Sequence, residues 1–506
     1  MDLATTPQSI WHTAERNRSA DSVLTSELGI PPIVAAVLTG RGITEPAAAE
    51  DFLNPSLDDM HPPEALPDYD LAVKEILGAR ERKERVFVHG DYDVDGVTSA
   101  ALFTRFLTKI GCDVVAHVPH RMREGYGIHQ DAVQKAAETG AKLFLTCDCG
   151  ISAHEQVEAA HALGMRVVVT DHHEVGETVP KAEAVVNPHR RDSRYPWPDL
   201  SGVGVVFKLC AGITKEIGYK ESQFYRAFLD LAVLGTVADV MPLLDENRVI
   251  TSFGLRQLAE TQKPGLIALL EVAELSGRRR LTARNIGFQI GPRINAVGRI
   301  DDASVALDLL LTDDMQEARR MASILDRLNE QRRAEQQRVF EEAMEQAAEA
   351  SADDRAIVVA KEGWHAGIIG IVAGKLVEQF RRPAFVIALD EDGSAKGSAR
   401  SIEGFNLASA IDDARSLLLS GGGHELAAGF SLEQGNVKEF ADALRAYAEH
   451  VLSPEDLVPR FHIDAVVEGE EAGPEAIADL HRLEPFGQGN PEPLFATLSA
   501  KITRLT

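Results

Sequence analysis

At 506 residues the chain is long enough for about two to four domains with sizeable cores. Its 44% hydrophobic and 26% charged residues are those of an ordinary soluble globular protein. The 52 Lys and Arg against 78 Asp and Glu leave a net charge of −26, which excludes a generally basic nucleic-acid-coating protein but not an enzyme whose arginines line one cleft. Cys112, Cys147, Cys149 and Cys210 lack zinc-site spacing and read as buried, reduced thiols. The opening residues hold no signal-peptide core, and no run nears about eighteen apolar residues, so a cytoplasmic, non-membrane protein is expected.

Residues 1–66 read as a helical lead-in. Ile30-Pro-Pro-Ile-Val-Ala-Ala-Val-Leu38 is a short apolar helix, punctuated by Gly40, Gly42 and Pro46. Pro62, Pro63 and Pro67 mark a linker. Over 67–312 helices and strands alternate, with helices expected at 71–82, 97–110, 130–139 and 154–163 and strands at 86–88, 113–119, 142–146 and 166–170. This alternation predicts an α/β lobe with a mostly parallel sheet and ligands beyond its carboxyl ends.

The stretch 86–96 carries the chemistry. Val86-Phe-Val88 has no water-facing side, the mark of a buried strand. It runs into His89, Asp91, Asp93 and Asp95, with Gly90 and Gly96 allowing tight turns. Carboxylates this close repel one another unless a strong positive charge sits among them. Oxygen donors suit Mg²⁺ or Mn²⁺, and the histidine tilts the choice to Mn²⁺. An acidic turn after a strand would explain this cluster taken alone. However, Asp148 and Asp171-His172-His173 follow two later strands, and the apolar run 231–238 ends at Asp239. The shared explanation is a polynuclear metal site.

His89-x-x-x-Asp93-x-Asp95, Asp148, Asp171-His172-His173 and Asp239 resemble the four signature motifs of the DHH phosphoesterase superfamily. Pro119-His-Arg-Met-Arg-Glu-Gly-Tyr-Gly127, Gly235-Thr-Val-Ala-Asp-Val-Met-Pro-Leu243 and Pro292-Arg-Ile-Asn-Ala-Val-Gly-Arg299 narrow the resemblance. They resemble the superfamily's bacterial exonucleases, which are specific for single-stranded DNA and run 5′→3′. The resemblance covers the chain from about residue 25 and implies two ions, Mn²⁺ or Mg²⁺. Asp95, Asp148, His172 and Asp239 match the ligands of one, and His89, Asp93 and Asp148 those of the other, with Asp148 bridging. Asp91 is expected to orient a ligand, and His173 to face the scissile phosphate beside Asp148. Such a pair of ions supports in-line displacement by water.

Arg121, Arg123, Arg293 and Arg299 fall in words bearing glycine or proline, which read as turns. Each alone reads as a surface ion pair. The resemblance places Arg121 near a 5′ phosphate, and Arg293, Asn295 and Arg299 near the metals or the substrate backbone. Tyr126, between two glycines, suits stacking on a base or simple packing.

Residues 313–352 read as a connecting helix, with Met321, Ile324, Leu325 and Leu328 at helical spacing and a solvated charged face that includes Arg332 and Arg333. A smaller α/β lobe is expected over 353–455. Its Trp364-His-Ala-Gly367, Ser398-Ala-Arg400 and glycine-flanked His424 resemble the DHH-associated domain that grips substrate; such glycines let backbone approach an anion. The lesser alternative for His365 is a helix-start residue with a packing role. Over 456–506, Phe461-His-Ile-Asp-Ala-Val-Val467 alternates as a strand, and Leu483-Glu-Pro-Phe-Gly-Gln-Gly-Asn-Pro491 precedes a last one. These resemble the opening of an oligonucleotide-binding barrel, with about two or three of its five strands present.

The expectation is therefore a two-lobed 5′→3′ single-strand exonuclease of DNA repair and recombination. Single-stranded DNA is its expected partner, with a single-strand-binding protein and a helicase, in a monomer that needs no membrane. Its rivals are a DHH phosphodiesterase of oligoribonucleotides or cyclic dinucleotides, and a non-catalytic replication scaffold. A scaffold would have lost ligands, and none is missing.

Overall fold

The computed structural model describes residues 9–120, 127–300, 304–349, 354–468, 471 and 473–498, and only the backbone of 298–300, 349 and 475. The chain divides into two compact units, each discontinuous in sequence: Glu15–Asn329 with Asp464–Thr506, and Met1–Ala14 with Glu330–Ile463. The first strand, Ile10–Thr13 (β1), belongs to the second of these, so the expected lead-in is not wholly helical.

The larger unit is built on β2 (Arg85–Gly90), β3 (Asp113–His117), β4 (Leu143–Cys147), β5 (Arg166–Thr170) and β6 (Ala184–Val186). They form one parallel sheet in the order β3-β2-β4-β5-β6. Val86 and Val88 enter one hydrophobic core and Phe87 another, because successive side chains leave opposite faces and both faces are covered. Strand order reverses at β2, which pairs with β3 on one side and β4 on the other. Such a switch point opens a crevice beyond the strand ends.

Helix Val94–Lys109 follows β2, and helices Gly202–Glu216 and Glu221–Ala238 are buried along most of their length. The apolar run 231–238 lies inside the last of these. A helix apolar all round is a buried one, and a short run of this kind does not distinguish it from a strand. The expected linker is packed: Pro63 and Leu66 are buried, and the His61 amide donates to Glu246. Arg41 pairs with Asp464 at 3.0 Å. Arg248 donates to the carbonyls of Phe52 and Glu484, which ties both ends of the unit's sequence to its middle.

In the smaller unit β7 (Ile357–Glu362), β8 (Ala384–Leu389), β9 (Ser394–Arg400), β10 (Leu418–Gly423) and β11 (Ala427–Glu433) form a sheet ordered β10-β11-β9-β8-β7. Only β7 and β8 pair in parallel, joined through helix Ala366–Phe380. β12 (Arg460–Ile463) pairs with β1 in this unit. β13 (Ala465–Val466) pairs with β14 (Phe495–Ala496) in the larger one. The single strand expected over 461–467 is thus broken at Asp464, whose carboxylate accepts from Arg41 and from the Leu494 amide. Helix Met315–Glu349 buries Met321, Leu325 and Leu328 in the larger unit and Val339 and Ala343 in the smaller. Among the described residues no helix is long and apolar enough to cross a membrane. All four cysteines are buried and free.

Candidate metal centre

Strand register assembles the site. Gly90 pairs with Cys147, and Cys147 with Thr170, so Asp91, Asp148 and Asp171 are the first residues past three adjacent strand ends. Asp148 takes a left-handed conformation at φ +61, which asparagine and aspartate tolerate better than most residues. Asp93 caps helix Val94–Lys109 by accepting from the Gly96 amide at 3.0 Å. That helix start presents Asp95 to the first amides of helix Gly202–Glu216. Gly202 donates to it at 2.6 Å and Val203 at 2.9 Å. Asp239 closes helix Glu221–Ala238. Two glycines make the close approach possible. A Cβ on Gly235 would lie 2.2 Å from Asp95 Oδ1, and one on Gly202 2.6 Å from the Asp148 Cβ.

His172 Nε2 stands 3.1 Å from Asp148 Oδ1, 3.5 Å from Asp239 Oδ2 and 3.9 Å from Asp95 Oδ2. Ligands of an octahedral ion about 2.1 Å from each donor stand about 3 Å apart, so this spacing suits a shared cation. Potential ligand atoms fall into the groups Asp95–His172–Asp239, Asp148–His172–His173 and Asp91–Asp93–Asp148, each within 4.8 Å. His89, expected at the second ion, is in none of them. It is fully buried, with Nε2 3.4 Å from the Gly127 carbonyl. Asp91, expected to orient a ligand, has its carboxylate beside Asp93 and Asp148.

The electrostatics ask for positive charge. Burial, reinforced by Asp93, raises Asp91 and Asp239 to about 7. Burial and the neighbouring carboxylates lift Asp95 and Asp148 well above the carboxylate range. Burial lowers His172 to about 4 and His89 to about 3, keeping both as neutral donors. Among the described residues, buried Asp91 Oδ1, Asp148 Oδ1, His89 Nδ1 and His172 Nε2 find no hydrogen-bond partner. Buried polar atoms of this kind require a partner. The carboxylate-rich donor set with two imidazoles fits Mn²⁺ or Mg²⁺.

Asp171 works differently, and sequence reading gave it no separate role. Its Oδ1 accepts from His173 Nδ1 at 2.8 Å and from the His172 amide at 2.8 Å, while Oδ2 accepts from the Ile151 amide. Burial alone would raise Asp171, but the His173 hydrogen bond holds it below its ordinary value. His173 is raised in return, although burial opposes this. Asn187 Nδ2 donates to the His173 carbonyl, and His189 Nδ1 lies 2.6 Å from that of His172, bracing the same turn. Gly202 was also missed, although Ser201 ahead of an apolar run is a legible helix start.

Arg121 and Tyr126 lie outside the described residues, as does the side chain of Arg299. Arg293 and Arg299 sit in helix Gly291–Ile300, not in a turn. Proline at the second helical position is compatible with a helix start. The Arg293 guanidinium is engaged by Asp326 and by the carbonyls of Gln289 and Val272; Asn295, in the same helix, is half-buried. Ser398 and Arg400 share β9, where the guanidinium lies 3.5 Å from Ser398 Oγ. His424 is exposed in the turn between β10 and β11, its amide donating to the Ala427 carbonyl. His365 caps helix Ala366–Phe380 by accepting from the Gly367 amide.

The DHH family N-terminal domain matches residues 85–236, the DHHA1 domain 353–450 and the RecJ OB domain 463–506. A single-stranded-DNA-specific exonuclease RecJ of Bacillus subtilis is 39% identical over 96% of this chain and 61% of its own length. The protein of that name from Salmonella typhimurium is 37% identical over 95% of this chain and 85% of its own. The chain therefore spans about three fifths of the first relative and most of the second. A crystal structure of Thermus thermophilus RecJ in complex with Mn²⁺ superposes with a TM-score of 0.83 at 32% identity, covering 97% of this chain and 69% of that one.

Proposed function

The chain belongs to the RecJ branch of the DHH family, and on that premise we propose that it hydrolyses single-stranded DNA from the 5′ end with two divalent cations. The observation that carries this reading is the buried carboxylate–histidine cluster at the sheet's switch point, with four donor atoms lacking hydrogen-bond partners among the described residues. Asp95, Asp148, His172 and Asp239 would hold one ion. Asp93 and Asp148 would hold the other, with Asp91 as the third donor grouped with them and His89, expected there from the motif, the alternative. When bound, two such ions supply Lewis acidity to the scissile phosphoryl group and its attacking water.

The protein's own groups do the positioning. Asp171 fixes the His173 ring through Nδ1, and His173 is the imidazole suited to meet the phosphate or the leaving oxygen. Asp148 keeps its carboxylate in place through a backbone conformation few residues adopt. Arg400, half-buried and without an ion pair among the described residues, is suited to hold a terminal phosphate with Ser398 and His424. Arg121, Tyr126, Asn295 and Arg299 complete the proposed substrate contacts. The enzyme acts in the cytoplasm, as a monomer, on strands that a helicase exposes and a single-strand-binding protein coats, in repair and recombination.

Digestion of 5′- and 3′-labelled single strands, duplex DNA and cyclic dinucleotides with Mn²⁺ or Mg²⁺ tests this reading. Single strands should be shortened from the 5′ end, faster when 5′-phosphorylated. Asp148→Asn should cost more than the roughly 10–100-fold typical of residues that merely support ligands. Release from the 3′ end, or a preference for cyclic dinucleotides, would overturn the proposal.

A further inference from the structure

One wall beside the candidate metal centre has a feature that the ligand cluster does not use. Val240 directly follows Asp239, is 64% exposed and adopts φ +58. For a β-branched residue this is a strained conformation, kept only where the surroundings enforce it. Across a groove of about 520 Å³ from it runs Ile286–Ile290, a π-helical turn. Such turns are rare and recur at functional sites. Phe288 projects from this turn and is 75% exposed, the most exposed large apolar side chain described. The Arg284 guanidinium lies 5.7 Å from the centre of its ring and makes no ion pair among the described residues. Met241, Leu243 and Phe486 add to the apolar lining.

A single exposed aromatic needs no explanation. Here an exposed ring, an arginine with no ion pair among the described residues and a strained valine share one groove, and the valine is peptide-bonded to a residue whose carboxylate lies 3.5 Å from His172. A phosphodiester held by the cluster therefore has its flanking nucleotides within reach of this wall. A flat ring under a guanidinium suits a nucleobase, because every base has a π-face and stacking is tolerant of sequence.

We propose that Phe288, with Val240 opposite and Arg284 over its ring, is a stacking shelf for one unstacked base of the substrate strand. This rests on the exonuclease reading above and adds to it a residue that contributes to binding rather than to chemistry. A shelf of this kind also favours single strands, since a base inside a duplex has no free face to offer.

The test uses the full chain with Mn²⁺ and a series of 5′-phosphorylated strands, each with one abasic site at a successive position. In the unmodified enzyme one abasic position should raise KM about tenfold with little change in kcat. Phe288→Ala should raise KM on the intact strand by about the same factor and become indifferent to that abasic site, while Phe288→Trp restores both behaviours. The rise in melting temperature with Mn²⁺ should be equal in all three proteins, which shows the metal centre intact. An unchanged KM and abasic profile in Phe288→Ala would overturn the shelf while leaving the exonuclease reading standing. An unmodified enzyme that cuts no single strands would overturn both.

Discussion

Asp91 and Asp239 sit at about 7, and Asp95 and Asp148 are displaced in the same direction by burial and mutual repulsion. Folding therefore favours their protonated forms. Their contribution to stability is complete below the ordinary carboxylate value near 3.8 and is lost as pH rises through about 7. A bound cation reverses the demand, because its ligands must be ionised. The rise in melting temperature on adding Mn²⁺ should thus be larger at about pH 8 than at about pH 6. Calorimetry at both values checks this, and an equal or smaller rise at the higher pH would contradict the assignment of these carboxyls as ligands.

Elements converge on the cluster through glycines at helix crossings. Gly235→Ala would push a methyl group onto Asp95, and the neighbouring side chains Thr98 and Val203 are also within 2.7 Å of that Cβ. Overpacking of a filled interior costs about 1–3 kcal/mol, so the variant should melt several degrees lower and bind Mn²⁺ weakly. Metal titration followed by melting temperature measures both, and normal metal affinity would show that the crossing can give way. The strands were legible because β2, β4 and β5 are apolar runs each ending in acid, and the long helix because it lacks glycine and proline. The helical nature of 231–238 was not, since an apolar run buried on every side has no period to read. Nor could sequence show that Asp91, and not His89, lies grouped with Asp93 and Asp148. That depends on side-chain reach across a strand end, not on spacing. Arg293 misled for a related reason: glycine and proline in its word suggested a turn, but packing against Asp326 and the Val272 carbonyl holds it in a helix.

At the scale of the whole molecule, a net charge of −26 repels a polyanion everywhere except where arginines gather. Binding through about four phosphates gives a slope of about −3 in log affinity against log salt for a single strand. Fluorescence anisotropy across a salt series measures it, and salt-independent binding would contradict local electrostatic capture. The discontinuity of the larger unit reaches further, into biosynthesis. Arg41 and Asp464 are 423 residues apart, and Arg248 reaches the Glu484 carbonyl 236 residues later. The nascent unit therefore waits, while residues 330–463 are made, for the strand and turn that complete it. At about 5–20 residues per second that wait is on the order of ten seconds, with apolar surface uncovered. Every acid and histidine of the cluster has left the ribosome by then, so the cluster's composition is fixed long before the segment that closes its unit arrives.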